Sequence, residues 1–150
     1  MSCLAERQLA PRIAPALVLA YLGFVALGLP DGLLGVAWPS MRGDFGVPVG
    51  AVGFLLAFST TGYLVSSVSA GFLLAKVGVG RLLAVSTALV AAALAGYALA
   101  PVLSVVVGCA LLLGLGSGAI DSGLNAYAAG NFGARNMNWM HAAFGLGAMV

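Results

Sequence analysis

Five apolar runs, separated by short polar segments, account for most of the chain after its first dozen residues. They cover residues 13–38, 49–75, 82–100, 102–129 and 137–150. The first four are long enough for a helix of about 20 residues, which a hydrocarbon core of about 30 Å requires. Barrel strands would alternate in polarity, whereas these runs are continuous. The pattern predicts an all-α integral membrane protein with a polar tail over residues 1–12.

Composition excludes a water-soluble domain. Of the 150 residues, 62% are hydrophobic and 7% are charged, whereas soluble domains carry about 25% charged residues. Six basic and four acidic residues are too few and too dispersed for a nucleic-acid surface. The glycine cluster at residues 114–118 follows no strand, so it lacks the context of a nucleotide-binding loop. We therefore expect no nucleic-acid partner, no cofactor and no metal site.

The distribution of basic residues predicts the orientation in the membrane. If the amino terminus is cytoplasmic, Arg42 alone lies outside, and the basic residues inside are Arg7, Arg12, Lys76, Arg81 and Arg135. The positive-inside rule favours this arrangement in a multi-pass protein of the cell membrane. The fifth run is shorter than a crossing and ends without a polar stop, so we expect further helices after Val150.

Glycine recurs at four-residue spacing within the apolar runs, as in Gly28/Gly32 and Gly114/Gly118. Helices can approach closely where side chains are missing from one face. These pairs therefore predict close helix packing.

Three ionisable residues, Asp31, Asp121 and His141, fall within the apolar runs. Such a group costs at least about 2.5–3.5 kcal/mol at the bilayer centre, so it needs a partner or a function. Ser117, Asp121 and Asn125 are spaced by four and form one polar stripe on a helix. The stripe is either a hydrogen-bonded clasp between helices or a site for a solute or a proton.

The positions of Asp31 and His141 leave alternatives open. Pro30, Asp31 and Gly32 form a turn signature, but the following residues stay apolar. Asp31 therefore either marks the end of a short first span or lies inside a longer, kinked one. His141 lies one turn into the fifth run, where it either reaches the cytoplasmic surface or takes part in function.

Residues 71–78, Gly-Phe-Leu-Leu-Ala-Lys-Val-Gly, lie between the second and third runs. They resemble the loop signature of the major facilitator superfamily, with Ala75 where the family usually has aspartate. The resemblance implies that Gly71, Lys76, Gly78 and Arg81 belong to a conformational loop.

The fourth run resembles the fucose–proton symporter branch of that family. Gly118, Asp121 and Asn125 are similar to its pattern of a glycine, an acid that is usually glutamate, and asparagine four residues later. Asp31 resembles the acid of the first helix in that branch. His141, followed by Gly-Leu-Gly at 145–147, resembles its fifth-helix segment, where glutamine is common.

The resemblance covers essentially the whole chain. It implies the first five helices of a twelve-helix (6+6) major facilitator fold whose C-terminal half is absent from this sequence. The expected function is secondary active transport of a small polar solute, with sugars favoured, by alternating access and with proton coupling. The expected partners are the solute, protons, the lipid bilayer and the C-terminal half. Each six-helix half is expected to contain an inverted repeat of three helices.

The resemblance also implies roles for individual residues. Ser117, Asp121, Asn125 and His141 are implied to bind the solute. Either Asp31 or Asp121 is expected to carry the coupling proton.

Two other interpretations remain at this point. A non-transporting membrane scaffold would explain the glycines but not the ionisable residues. An intramembrane serine hydrolase could use Ser117 and His141 as nucleophile and base, but Leu115 stands where the Gly-x-Ser context needs glycine. We therefore expect a transporter rather than an enzyme.

Overall fold

The computed structural model describes the backbone of residues 3–150 and the side chains of residues 15–150. Its elements are α1 (Cys3–Asp44), a short 3-10 helix (Val49–Ala51), α2 (Val52–Val77), α3 (Val79–Leu99), α4 (Leu103–Asn131) and α5 (Ala134–Met149). The predicted all-α class is confirmed for this part of the chain. The side chains of Arg7 and Arg12, which contribute to the predicted orientation, lie outside the described residues.

Four helical segments are long and apolar enough to cross a membrane. They are Pro15–Asp44, Val49–Val77, Val79–Leu99 and Leu103–Asn131. Helix α5 has 16 residues, which is fewer than the about 20 that a full crossing needs. Five crossing helices therefore remain a prediction.

Helix α1 continues through Pro30 and Asp31 to Asp44. A proline lacks the N–H that a helix interior uses, but membrane helices tolerate it because neighbouring groups satisfy the freed carbonyl. The alternative in which Pro30 and Asp31 form a turn at the end of a short span is therefore wrong. Asp31 lies inside the first of the four segments that are long and apolar enough to cross a membrane.

Helices α2 and α3 are joined by a single residue, Gly78. Its φ of 78° lies in the left-handed region that glycine adopts without strain. The Gly78 N–H donates to the Leu74 carbonyl oxygen at 3.0 Å, which closes the last turn of α2. A side chain at this position would strain the tightest turn in the described chain.

The helices pack as two groups. Helix α4 packs extensively against both α2 and α3, whereas α1 packs mainly against α5. An apolar cluster that includes Phe24, Ile120 and Met140 joins α1, α4 and α5. A second cluster, which includes Trp38 and Leu55, lies where α1 ends and α2 begins. These clusters hold the two groups together on either side of the middle of the bundle.

The α2–α4 contact depends on glycine. A β-carbon on Gly114 would collide with the Ser59 carbonyl oxygen and lie 2.9 Å from the Tyr63 nitrogen. A β-carbon on Gly118 would collide with the Tyr63 carbonyl oxygen, and one on Gly62 would collide with the backbone of α4. The predicted packing role of the Gly114/Gly118 pair is confirmed.

The α1–α5 contact has the same construction. A β-carbon on Gly28 would lie 2.7 Å from the Ala148 nitrogen, and one on Gly32 would lie 2.6 Å from the Ala148 carbonyl oxygen. A β-carbon on Gly147 of α5 would collide with the Val25 carbonyl oxygen of α1. Two glycines four residues apart on one helix thus face one glycine on the other, as in the α4–α2 pair.

The two crossings correspond residue by residue. Gly28 and Gly32 both approach Ala148, as Gly114 and Gly118 both approach Tyr63. The correspondence pairs α1 with α4 and α5 with α2, which is the relation expected of an inverted three-helix repeat.

The crossing predicts a position-specific cost of adding one methyl group to α4. We expect Gly114→Ala to lower the stability of the folded helices by about 1–3 kcal/mol, because the new methyl group meets backbone atoms that cannot rotate away. Thermal unfolding in detergent, followed by tryptophan fluorescence, measures the effect. The control is Gly108→Ala on the same helix, where a β-carbon meets nothing within 4 Å. Equal melting temperatures for the two variants would contradict a backbone-limited crossing.

Candidate functional site

A cavity of about 300 Å³ lies where α1, α2, α4 and α5 meet, between the two apolar clusters. Its polar lining residues are Asp31, Ser59, Tyr63, Ser117, Asp121 and His141. Four of these were singled out from the sequence, namely Asp31, Ser117, Asp121 and His141. The fold therefore brings residues from three separate apolar runs to one place.

The polar stripe of α4 lies on a face of the helix that is packed into apolar clusters toward both of its ends. Val106 and Ala110 toward one end and Ala128 toward the other share this face and are fully buried, whereas Ser117 and Asp121, one helical turn apart between them, line the cavity. The stripe is therefore directed toward the open middle of the bundle.

Asp121 is the centre of a hydrogen-bonded group. The Tyr63 hydroxyl donates to Oδ2 of Asp121 at 2.6 Å, and the Asn125 side-chain amide donates to Oδ1 at 3.0 Å. Both carboxylate oxygens thus have a donor from the protein. Asn125 itself does not line the cavity but acts on it through Asp121.

Asp31 and His141 face the same cavity from the other helix group. Within residues 15–150, the Asp31 carboxylate has no direct side-chain hydrogen-bond partner in this conformation. The His141 ring meets the Phe24 ring edge-on, with centroids 5.2 Å apart and an interplanar angle of 86°. His141 therefore contacts α1 beside the cavity.

Sequence reasoning missed Ser59 and Tyr63. They are four residues apart on α2 and form a stripe that faces the α4 stripe across the glycine crossing. Several other hydroxyl residues occur in the same span, for example Thr60 and Thr61. The four-residue spacing was a usable signal, but only the crossing distinguishes these two residues from their neighbours.

The described cavity is rich in acceptors and poor in cations. Asp31, Asp121 and His141 line it, and no lysine or arginine does so among the described side chains. Nor do the described residues contain a cluster of three or more histidine, cysteine or acidic side chains that could hold a metal. The chemistry available here is hydrogen bonding and proton exchange.

The predicted loop residues lie apart from the cavity, at the α2–α3 turn. The Lys76 ammonium stands 4.2 Å above the centre of the Phe72 ring, and Gly78 forms the turn itself. Gly71 has open space around it, and Arg81 is exposed in the first turn of α3. These four residues therefore mark one end of the bundle.

Comparison with protein families gives one match. The family model described as Major Facilitator Superfamily matches residues 20–150 of the chain, a range that extends from α1 to α5. Comparisons with curated proteins and with solved structures found no match.

Proposed function

Because the chain belongs to the major facilitator superfamily, it is a multi-pass membrane transporter of small solutes, and we propose that it moves a polar solute, with sugars favoured, together with protons. Members of this superfamily are transporters rather than enzymes, so the hydrolase interpretation is set aside. The proposed branch is that of the fucose–proton symporter, and the proposed location is the cell membrane.

The observation that carries the proposal is the hydrogen-bonded Asp121 in the cavity. A carboxylate between Tyr63 and Asn125, with Ser117 one turn away, offers several acceptors and a hydroxyl within a small volume. Solute sites in transporters of this kind lie near the membrane midplane, where helices of the repeats meet. Ser117, Asp121 and His141 are proposed to contact solute hydroxyls, and Asn125 is proposed to take part in solute binding through its hydrogen bond to Asp121.

Proton coupling is proposed to use Asp31 or Asp121. An ionised carboxylate only accepts hydrogen bonds, whereas a protonated carboxyl group also donates one. Protonation also removes a charge that is costly to expose to lipid or to an apolar surface. The protonation state can therefore change both the affinity for the solute and the relative energies of the two cavity openings.

Alternating access is proposed to need a second six-helix half, because rocking around a central site requires two bodies. The α2–α3 turn with Gly71, Lys76, Gly78 and Arg81 is proposed to contact that half during the change. The proposed orientation has a cytoplasmic amino terminus.

The orientation predicts which turns are accessible from outside the cell. In a variant with Cys3 and Cys109 replaced by serine, we expect Ser40→Cys to react with an impermeant maleimide in intact cells. We expect Gly80→Cys to react only after permeabilisation, because the α2–α3 turn carries the basic residues. Both positions are exposed, so each serves as the control for the other. Labelling of Gly80→Cys but not Ser40→Cys in intact cells would reverse the orientation.

Replacing the acids predicts a separation of proton coupling from solute exchange. In proteoliposomes with the complete transporter, we expect Asp31→Asn or Asp121→Asn to abolish accumulation of radiolabelled L-fucose under a pH gradient while counterflow continues. Asparagine keeps the size of the side chain and cannot take up the coupling proton. Asn125→Ala should instead weaken solute binding and leave the dependence on the pH gradient intact. Accumulation at parental levels in both aspartate variants would refute coupling through these carboxyl groups.

A further inference from the structure

Tyr63 connects α2 to the polar stripe of α4. Its hydroxyl lies 2.6 Å from Oδ2 of Asp121, within hydrogen-bonding distance of the carboxyl group. When the carboxyl group is ionised, such a bond is about twice as strong as one between neutral groups. This contact joins two helices and ends on the central acid of the cavity.

The backbone of Tyr63 is held by the glycine crossing. A β-carbon on Gly114 would lie 2.9 Å from the Tyr63 nitrogen, and one on Gly118 would collide with the Tyr63 carbonyl oxygen. The peptide groups on both sides of Tyr63 therefore touch α4 directly. Since this backbone cannot shift without separating the helices, the α-carbon that carries the phenol side chain has a fixed position relative to α4.

The remaining hydrogen-bonding capacity of the group consists of acceptors. Oδ2 of Asp121 already accepts from Tyr63 and Oδ1 accepts from Asn125. A carboxylate has about four acceptor positions, so about two stay free, and the Tyr63 oxygen keeps its lone pairs after donating its proton. A solute that reaches this group must therefore supply the donors.

We propose that Tyr63 is a positioning residue for Asp121, an inference that rests on the proposed transport function. Tyr63 fixes the carboxylate so that its free lone pairs point into the cavity. The site thereby selects neutral or cationic solutes that donate hydrogen bonds and rejects anions. The absence of lysine and arginine from the described lining supports this selectivity, because none of these residues supplies a permanent positive charge to offset an anionic solute.

The test removes one oxygen atom. Tyr63→Phe keeps the ring and the backbone contacts but loses the bond to Asp121. We expect the half-saturation concentration for L-fucose counterflow in the complete transporter to rise about tenfold, as for a lost bond to a charged group, with the maximal rate unchanged. In the Asp121→Asn background, where the Tyr63 hydroxyl can donate only to a neutral amide oxygen, the same change should raise half-saturation less. D-Galacturonate, an anionic sugar, should neither exchange nor compete.

The matched control is Tyr97→Phe. Tyr97, near the carboxyl-terminal end of α3, packs against the apolar cluster that includes Trp38 and Leu55 and does not line the cavity. Removing its hydroxyl should therefore leave half-saturation unchanged. A merely structural role of Tyr63 would lower the maximal rate or the amount of folded protein and leave half-saturation alone.

Several outcomes would overturn the inference. Parental half-saturation in Tyr63→Phe, an equal change in both backgrounds, or efficient exchange of D-galacturonate would each do so. If the parent exchanges no sugar, the sugar proposal fails. Thermal unfolding of the parent, Tyr63→Phe, Asp121→Asn and the double variant then tests the contact between Tyr63 and Asp121. We then expect Tyr63→Phe to lower Tm more in the parent than in the Asp121→Asn background, and additive shifts would exclude the hydrogen bond to the carboxylate.

Discussion

The backbone contact between α2 and α4 is the constraint on which the cavity depends. Gly62, Gly114 and Gly118 remove the side chains that would separate the two helices. Without that approach, the phenol of Tyr63 could not lie within hydrogen-bonding distance of Asp121. In lipid, packing of small residues replaces the hydrophobic driving force that joins helices in water. The same glycines therefore stabilise the bundle and set the geometry of the site.

The repeated crossing gives the two helix pairs a common framework but different chemistry. If Gly28 and Gly32 correspond to Gly114 and Gly118, Asp31 corresponds to Ser117, since each immediately precedes the second glycine. Asp121 then lies one turn beyond the position that matches Asp31. An inverted repeat can thus present an acid from each half of the bundle at staggered depths. The stagger separates Asp121, which is hydrogen-bonded to Tyr63 and Asn125, from Asp31, which has no side-chain partner among residues 15–150 in this conformation.

Much of the fold follows from the sequence because the lipid environment restricts the secondary structure that long apolar runs can form. Lipid requires internally bonded helices, so long apolar runs predicted the all-α class and the approximate positions of α2, α3 and α4. Glycine spacing predicted the close contacts, and the three isolated ionisable residues, together with Ser117 of the polar stripe, predicted four members of the cavity. Tyr63 could not be identified in this way, because a single tyrosine in an apolar run is equally suited to packing. Only the crossing of α2 with α4 shows which face of α2 it occupies.

The cavity lies between two helix groups that share fewer contacts with each other than within themselves. Asp31 and His141 belong to the α1–α5 group, whereas Tyr63 and Asp121 belong to the group around α4. A solute held between them would touch both groups and supply contacts between them that the protein does not make alone. Within the proposed mechanism, the bound solute is then itself a packing element, and its affinity depends on how closely the groups approach. Protonation of Asp31 or Asp121 changes the hydrogen bonds that these residues can make with the solute. The proton and the solute therefore both affect the contact between the two helix groups.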